Sequence, residues 1–483
     1  MITKNKILVL ITVLSFTSSA QQLFYPLDHG ENAFIEMYLN DTKSNSHTSI
    51  KPFLYEDVKQ QINIDSIDST VTDTNRLYLL PTSTWAKFLR WSENKLMDED
   101  LVYINSGGLK LRANLLLGLQ TGREFYQEES FWTNTRGYWL SGQVGKKVFF
   151  ESAFYENQAK LLPYINSNAT ENFVMPGQGR YKVFKENIGA DWAFASGAVG
   201  YKANKYFTAY LGHGKNFFGD GYRSLLLSDN SFNYPYFKFE TTVWNIKYVN
   251  LWAQLNHIGF QYAADRNWTQ KYLSVHYLSW NITRKLNLSL YESISWLKAD
   301  KGFDWQYANP VIFMRPVEWQ NGSADNVLLG SSFKYKMSNK FLVYGQAVLD
   351  DLNFAELKKA NGYWGNKFGG QIGVKAYNLL NIYGLSAQAE YNIVRPFTYT
   401  HFDSTNAHVH MNEPLAHPLG ANFQEAVAFL RYKYKRHKFT LKFVWSEIGK
   451  DTAQVNHGGN VFYGYNTNRV DINGDGGLTG YSV

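Results

Sequence analysis

The sequence predicts an all-β chain. It reads as a transmembrane β-barrel of the outer-membrane type, with about 16–18 antiparallel strands and a small helical part on its periplasmic side. Three observations predict this fold. Apolar residues recur at every second position through much of the chain, the connections between these runs alternate short and long, and aromatic residues are abundant while mean hydropathy stays low. The 483 residues include 34 Tyr, 33 Phe and 14 Trp, an aromatic share of 17%, at a mean hydropathy of −0.36. A barrel wall with one face toward lipid, the other toward a wet lumen and aromatic girdles at both interfaces combines these properties.

Taken in order, residues 1–20 read as a secretory signal. Lys4 and Lys6 give a positive start, Ile7 to Phe16 an apolar core, and Ser18-Ser19-Ala20 a small-residue cleavage site. The chain has no cysteine, so it has neither a lipobox-type acylation site nor a disulfide framework. Residues 21–105 lack the barrel alternation and read as a periplasmic segment with short helices. Trp85, Phe88, Leu89 and Leu96 there fall near helical spacing.

Residues 106–483 carry the barrel pattern. From Leu109 the period is two: Leu109, Leu111, Ala113, Leu115, Leu117 and Leu119 alternate with Lys110, Arg112, Asn114 and Gln120. The same alternation sets Leu286, Leu288, Leu290, Ile294 and Trp296 against Asn287, Ser289, Ser293 and Ser295. It also sets Ile372 and Val374 against Gln371 and Lys375, and Phe439, Leu441, Phe443 and Trp445 against Thr440 and Lys442. No run is long and apolar enough for a membrane helix.

The connections at Gly145–Lys147, Lys202–Lys205, Thr283–Lys285, Met337–Lys340, Asn378–Asn381 and Lys433–His437 are short and polar. Those at 160–187, 213–237, 297–326, 351–366 and 395–424 are long. An up-and-down barrel places its tight turns in the periplasm and its long loops outside, whereas a soluble β-sandwich has no reason to sort loops by parity. The expected location is therefore the outer membrane of a Gram-negative bacterium, with the loops at the cell surface. About fifteen runs lie between Leu109 and Trp445, and such barrels have even counts, so another strand is expected before or after them. The final GLTGYSV does not look like a closing strand, which leaves the barrel's C-terminal closure unidentified.

The net charge of +7 is spread along the chain rather than gathered in a basic block, which argues against nucleic acid. On an outer-membrane protein it suits lipopolysaccharide phosphates or acidic glycan. No nucleophile elbow, P-loop or dinucleotide motif is present, so neither an enzyme nor a cofactor is expected. His401, His408, His410 and His417 cluster in one loop, but no cysteine and few carboxylates accompany them, and they read better as loop histidines than as metal ligands. Asp471-Ile-Asn-Gly-Asp-Gly476 matches half of a calcium loop, but Ser482 stands where the closing Glu belongs. The loop aromatics Trp305, Tyr307, Trp319, Tyr363, Trp364 and Tyr399 suit either sugar stacking or an interfacial girdle.

The stretch Gly212–Tyr236, GHGKNFFGDGYRSLLLSDNSFNYPY, is the most distinctive in the chain. A long loop of this kind between strands is usually either functional or disordered, and its aliphatic RSLLLSDN centre does not read as disorder. With Glu390–Tyr399, with His410–Asn422 and, more weakly, with Asn326–Gly330, Tyr344–Gln346 and Asp350, it resembles the Wzi-type capsule-assembly outer-membrane proteins. RemB-type relatives from gliding bacteria are the nearest likeness, and His47–Phe53 is similar to the start of such proteins.

The resemblance implies a barrel of the 18-stranded Wzi type, a lectin-like, non-catalytic role in holding capsular or other surface polysaccharide, and a link to motility or secretion machinery. The alternative is a porin or uptake channel for small solutes or oligosaccharides. The candidate polysaccharide contacts are His213, Lys215, Arg223, Asp229 and Asn230 in one loop, and Arg395, His410, Asn412 and His417 in another. Their expected role is hydrogen bonding and charge pairing to sugar hydroxyls and carboxylates.

Overall fold

The computed structural model describes residues 9–16, 27, 29–40, 44–54, 58, 100–124, 129–184, 189–259, 268–323, 325–360, 362–434, 437–452 and 454–469. The helical pattern around Trp85 and the Asp471–Gly476 motif lie outside them. So does most of residues 1–20; its apolar centre, Val9–Phe16 (β1), runs antiparallel to Leu117–Glu124.

The next strands along the chain are β2 (Ile50–Lys51), β3 (Val102–Ser106), β4 (Leu109–Glu124), β5 (Glu129–Val144), β6 (Val148–Lys160), β7 (Lys182–Phe184), β8 (Gly189–Lys202) and β9 (Phe207–Gly214). Then come β10 (Phe217–Phe218), β11 (Tyr234–Val243), β12 (Ile246–His257), β13 (Thr269–Asn281), β14 (Leu286–Leu297), β15 (Asn326–Lys336) and β16 (Phe341–Asp351). The last are β17 (Lys367–Tyr377), β18 (Leu385–Val394), β19 (Val409–His410), β20 (Glu413–Pro414), β21 (Phe423–Tyr434) and β22 (His437–Ile448).

The long strands pair antiparallel with their neighbours in sequence and, with β1 and β7, form one 18-stranded sheet. The extra strand that the odd count of runs demanded is β3, which pairs with the start of β4. β22 and β3 adjoin in the strand order without a residue-by-residue register between them, so the seam falls where the sequence left closure open.

The polarity of the wall is inverted relative to a water-soluble fold. Leu115, Leu117, Leu119, Leu211, Leu288, Leu290, Ile372, Val374, Leu441 and Phe443 are exposed. The residues that alternate with many of them, among them Asn287, Ser289, Lys334, Lys336, Gln371, Lys375, Gln388, Glu390 and Arg431, are buried. Tyr206, Phe207, Trp244, Trp280, Tyr335, Phe341 and Tyr434 stand exposed near the short turns, as an interfacial girdle does. An apolar exterior around a polar interior defines a membrane-spanning β-barrel.

The sheet curls around a plug. The segment from β10 to Asn230 reaches Gln346 on β16, Gln371 on β17, Glu390 on β18 and Glu425 on β21, while Phe218 stacks on Tyr277 of β13 at 4.7 Å. The 395–422 loop supplies the rest, with Val409, Leu415, Ala416 and Ala421 packed against Leu225, Leu226 and Leu227 in one buried cluster.

Of the N-terminal segment, expected on the periplasmic side, residues 29–40 and 44–54 lie at the end of the barrel with the short turns and reach up into the lumen. At that end Asn40 donates to the Ser338 and Asn339 carbonyls at 3.3 and 3.1 Å. Helix α1 (His29–Leu39) presents Glu36, which pairs with Lys375 of β17 and lies 2.8 Å from Lys51. β2 pairs with β10, and the Lys51 ammonium donates to the Gly219 carbonyl at 3.1 Å. Inward-facing lysines on a barrel wall need buried counter-charges, and Glu36 and Asp220 supply them to Lys375 and Lys334. The partners stand up to 339 residues apart, so strand alternation alone does not reveal them.

Candidate functional site

The distinctive loop is built around wall carboxylates. Glu390 accepts the backbone N–H of Tyr222 at 2.7 Å and of Arg223 at 3.1 Å. A side chain at Gly221 would meet the Glu390 carboxylate at 2.5 Å, so glycine is required for the backbone to come this close. Gln346 holds both sides of the turn, donating to the Phe218 carbonyl at 2.9 Å and accepting from Leu225 N–H at 2.8 Å.

Most of the sequence-predicted contacts prove to be internal ties. Arg223 donates through two nitrogens to Glu425, at 3.2 and 3.0 Å, and His417 Nε2 donates to the same carboxylate at 2.8 Å. His410 accepts from Asn256 N–H at 3.0 Å through Nδ1 and donates to the Asn233 carbonyl at 3.2 Å through Nε2. His408 Nε2 donates to the Leu226 carbonyl at 3.1 Å, so the two histidines of the His-Val-His pair go to separate partners. Arg395 donates to the carbonyls of Asn366 at 2.7 Å and Tyr363 at 3.2 Å.

Lys215 donates to the carbonyls of Gly177 at 2.8 Å and Asp229 at 3.0 Å. His213, half-buried, meets Phe232 edge-on at 6.1 Å. Burial holds the His408 and His417 imidazoles down at about 4, His410 at about 3 and the more exposed His401 at about 4, against an ordinary 6.5.

The plug does not cover the whole lumen. Every residue of β3 is exposed, as are the first ten of β22. Beside the plug, against the inner faces of β4–β6, lies a cleft of about 950 Å³. Helix α2 (Pro163–Asn172) and residues 459–463 form its other walls. Gln120, Thr133, Thr135 and Asn157 make it polar on the barrel side, while Tyr164, Trp192 and Tyr463 give it aromatic surface.

Asn230, Asn412 and Glu413 are brought to this cleft, and His213 is not. Asn412 donates to the carbonyls of Asn172 at 3.1 Å and Gly259 at 2.7 Å, and Glu413 accepts Gly177 N–H at 2.6 Å. Asn412 Oδ1 and Glu413 Oε2, both buried, have no hydrogen-bond partner among the described residues. Burial pushes the Glu413 carboxyl up to about 7, against the pull of Gly177 N–H, Lys215 and the nearby Phe232 N–H. The same burial holds the Lys215 ammonium below its usual range.

Sequence reasoning passes over Glu413, although it stands beside Asn412 in the motif that carries the resemblance. It also misses Trp192, which sits within a strand and whose indole N–H donates to Gln178 at 2.8 Å. Of the six loop aromatics, Tyr307 and Tyr399 are buried elsewhere, and none lines the cleft. Among the described residues, no three His, Asp or Glu side chains gather as a metal-ligand set.

The class is a membrane-spanning β-barrel whose lumen is largely filled by its own loops and N-terminal segment. No family model matches the chain, and no curated protein does. Among solved structures it is similar to Wzi, an outer membrane protein involved in group 1 capsule assembly in Escherichia coli and a carbohydrate-binding β-barrel. That likeness has 11% identity and a TM-score of 0.48, covering 89% of this chain and 86% of Wzi. It is also similar to a BenF-like porin from Pseudomonas fluorescens, at 10% identity and a TM-score of 0.36, covering 72% of this chain and 82% of the porin. OccK7 from Pseudomonas aeruginosa matches at 10% identity and a TM-score of 0.34, covering 71% and 84% of the two chains.

Proposed function

We propose that the protein is a non-catalytic outer-membrane barrel that holds surface or capsular polysaccharide in the cleft beside its plug. The observation that carries this reading is the lining of the cleft, where the amide and hydroxyl groups of Gln120, Thr133, Thr135 and Asn157 stand with the rings of Tyr164 and Tyr463. Sugar hydroxyls pair with such amides and hydroxyls, and sugar faces stack on rings like those of Tyr164 and Tyr463. Arg223, His410, His417, Arg395 and Lys215 then act indirectly, by shaping the loops that form the cleft. The resemblance to RemB-type proteins extends the same binding to surface motility. A deletion strain scored for both capsule retention and gliding separates these roles.

A channel is the second reading, favoured by the uncovered inner faces of β3 and β22 and the polar lining of β4–β6. Both are tested by measuring binding of the cell's own surface polysaccharide to the reconstituted protein, alongside single-channel conductance. Gln120→Ala, which removes a hydrogen-bonding amide from the cleft, and Tyr164→Ala, which removes a stacking ring, are each expected to weaken binding by up to about tenfold. Unchanged affinity in both variants sinks the glycan reading, and conductance without any glycan binding favours the channel.

A further inference from the structure

The connection between β14 and β15 folds back along the outside of the wall. It contains helices α3 (Lys298–Lys301) and α4 (Met314–Asn321). On β13, Val275 and Tyr277 face the plug, so Ser274 and His276 face outward; Ser274 pairs in register with Trp252 and with Ile294. This outward set continues into Phe237, Leu288 and Leu290, which are exposed.

The connection covers the upper part of that outward face. Trp252 Nε1 and Ser274 Oγ donate to the Tyr307 carbonyl at 3.0 and 2.8 Å, and Asn250 donates to the Pro310 carbonyl at 3.0 Å. Glu292 accepts the N–H groups of Met314 at 3.0 Å and Arg315 at 2.8 Å. Ile294, Trp296, Tyr307, Met314 and Val327 form a separate buried cluster beneath it. Its other side exposes large apolar residues, Trp305 at 81%, Val311 at 83%, Phe313 at 55% and Trp319 at 73%, among polar ones such as Gln306, Arg315 and Gln320.

We propose that this connection is a lipid-embedded flap, seated in the outer leaflet where acyl chains meet headgroups. Two features point to lipid as the occupant. The polar groups beneath the flap stand on the barrel's lipid-facing side, where unpaired polar groups cost several kcal/mol each, and the flap's backbone pairs them. Its exposed side then presents large apolar residues on the same face as Leu288 and Leu290, two of them tryptophan, the residue enriched at membrane interfaces, interleaved with polar side chains that suit headgroups.

The proposal rests on the wall facing lipid, so the test carries a control for that. The full chain is reconstituted into phosphatidylcholine vesicles with and without bromine on the acyl chains. The fluorescence of Trp305, Trp319 and Trp280 is obtained by difference from Trp305→Phe, Trp319→Phe and Trp280→Phe. Trp280 lies on the bare wall. The expected result is about twofold quenching of all three by brominated lipid, with little quenching by aqueous iodide. Quenching of Trp280 by bromine but of Trp305 and Trp319 by iodide overturns the flap. Failure at Trp280 as well overturns the membrane reading of the wall. Shielding of Trp305 and Trp319 from both quenchers, with cross-linking between Trp305→Cys chains, replaces lipid by a second copy.

Discussion

Glu425→Ala is expected to undock the plug while the barrel wall stays folded. The Glu425 carboxylate is 1% exposed and receives Arg223 twice, His417 at 2.8 Å and Asn392 at 3.4 Å. It thereby ties the distinctive loop, the 395–422 loop and the wall together at one point. Removing it leaves a guanidinium and an imidazole N–H without their partner, and breaking a buried pair in this way costs about 3–5 kcal/mol. The expected readout is rapid proteolysis within 217–230 and 395–422 with the strands protected, and conductance in planar bilayers raised above the parent's. Glu425→Gln keeps an acceptor of the same shape and should recover part of the loss. An alanine variant as protease-resistant as the parent and with the parent's conductance would show that the plug does not depend on this tie.

Acidification is the second large effect. His408, His410 and His417 are neutral in the plug: His410 and His417 have both ring nitrogens bonded to fixed neighbours, and His408 donates through Nε2. Their folded values of about 4, 3 and 4 lie below the 6.5 expected when the loop is released. The stabilisation is therefore complete above pH 6.5, declines as pH falls below it, and is gone near pH 3–4. Each histidine contributes on the order of 3 kcal/mol to that decline.

Glu413 acts in the opposite sense. Its value is raised from 4.5 to about 7, so its contribution is greatest below pH 4.5 and is lost as pH rises through about 7. Three histidines outweigh one carboxyl, and the plug should open on acidification. Hydrogen exchange across residues 398–417, followed from pH 8 to pH 4, checks this. His417→Gln keeps a donor that does not titrate, and should move the opening to lower pH. Exchange that is flat across the range would refute the idea.

The strand pattern was legible because a membrane barrel enforces it twice. Lipid demands apolar residues on one face, and a confined, charged lumen demands polar ones on the other, so period two persists from Leu109 to Trp445. The odd number of runs pointed to one more strand, and β3 is that strand. The seam beside β22 was the least legible part, because a strand exposed on both faces has no second environment to sort its residues.

The candidate contacts were read from residue type, and type does not say which way a loop side chain turns. His410, His417, Arg223 and Arg395 carry the chemistry of a binding site, yet the fold uses them to hold loops together. Their partners lie on strands remote in sequence, such as Glu425 for Arg223. Asn412 and Glu413 read no differently in the sequence, yet the chain brings them to the edge of the cleft. The outer flap was hidden for the same reason. Its Trp305 and Trp319 read as loop aromatics until the chain is seen folded down the wall.

By itself, then, the sequence determined the barrel, its turns and loops, and the loop that organises the plug, because those follow from local periodicity and residue chemistry. Only the tertiary structure decided which polar groups are spent inside the plug and which line the cleft beside it. That choice depends on pairings across the lumen, between residues that no local pattern connects.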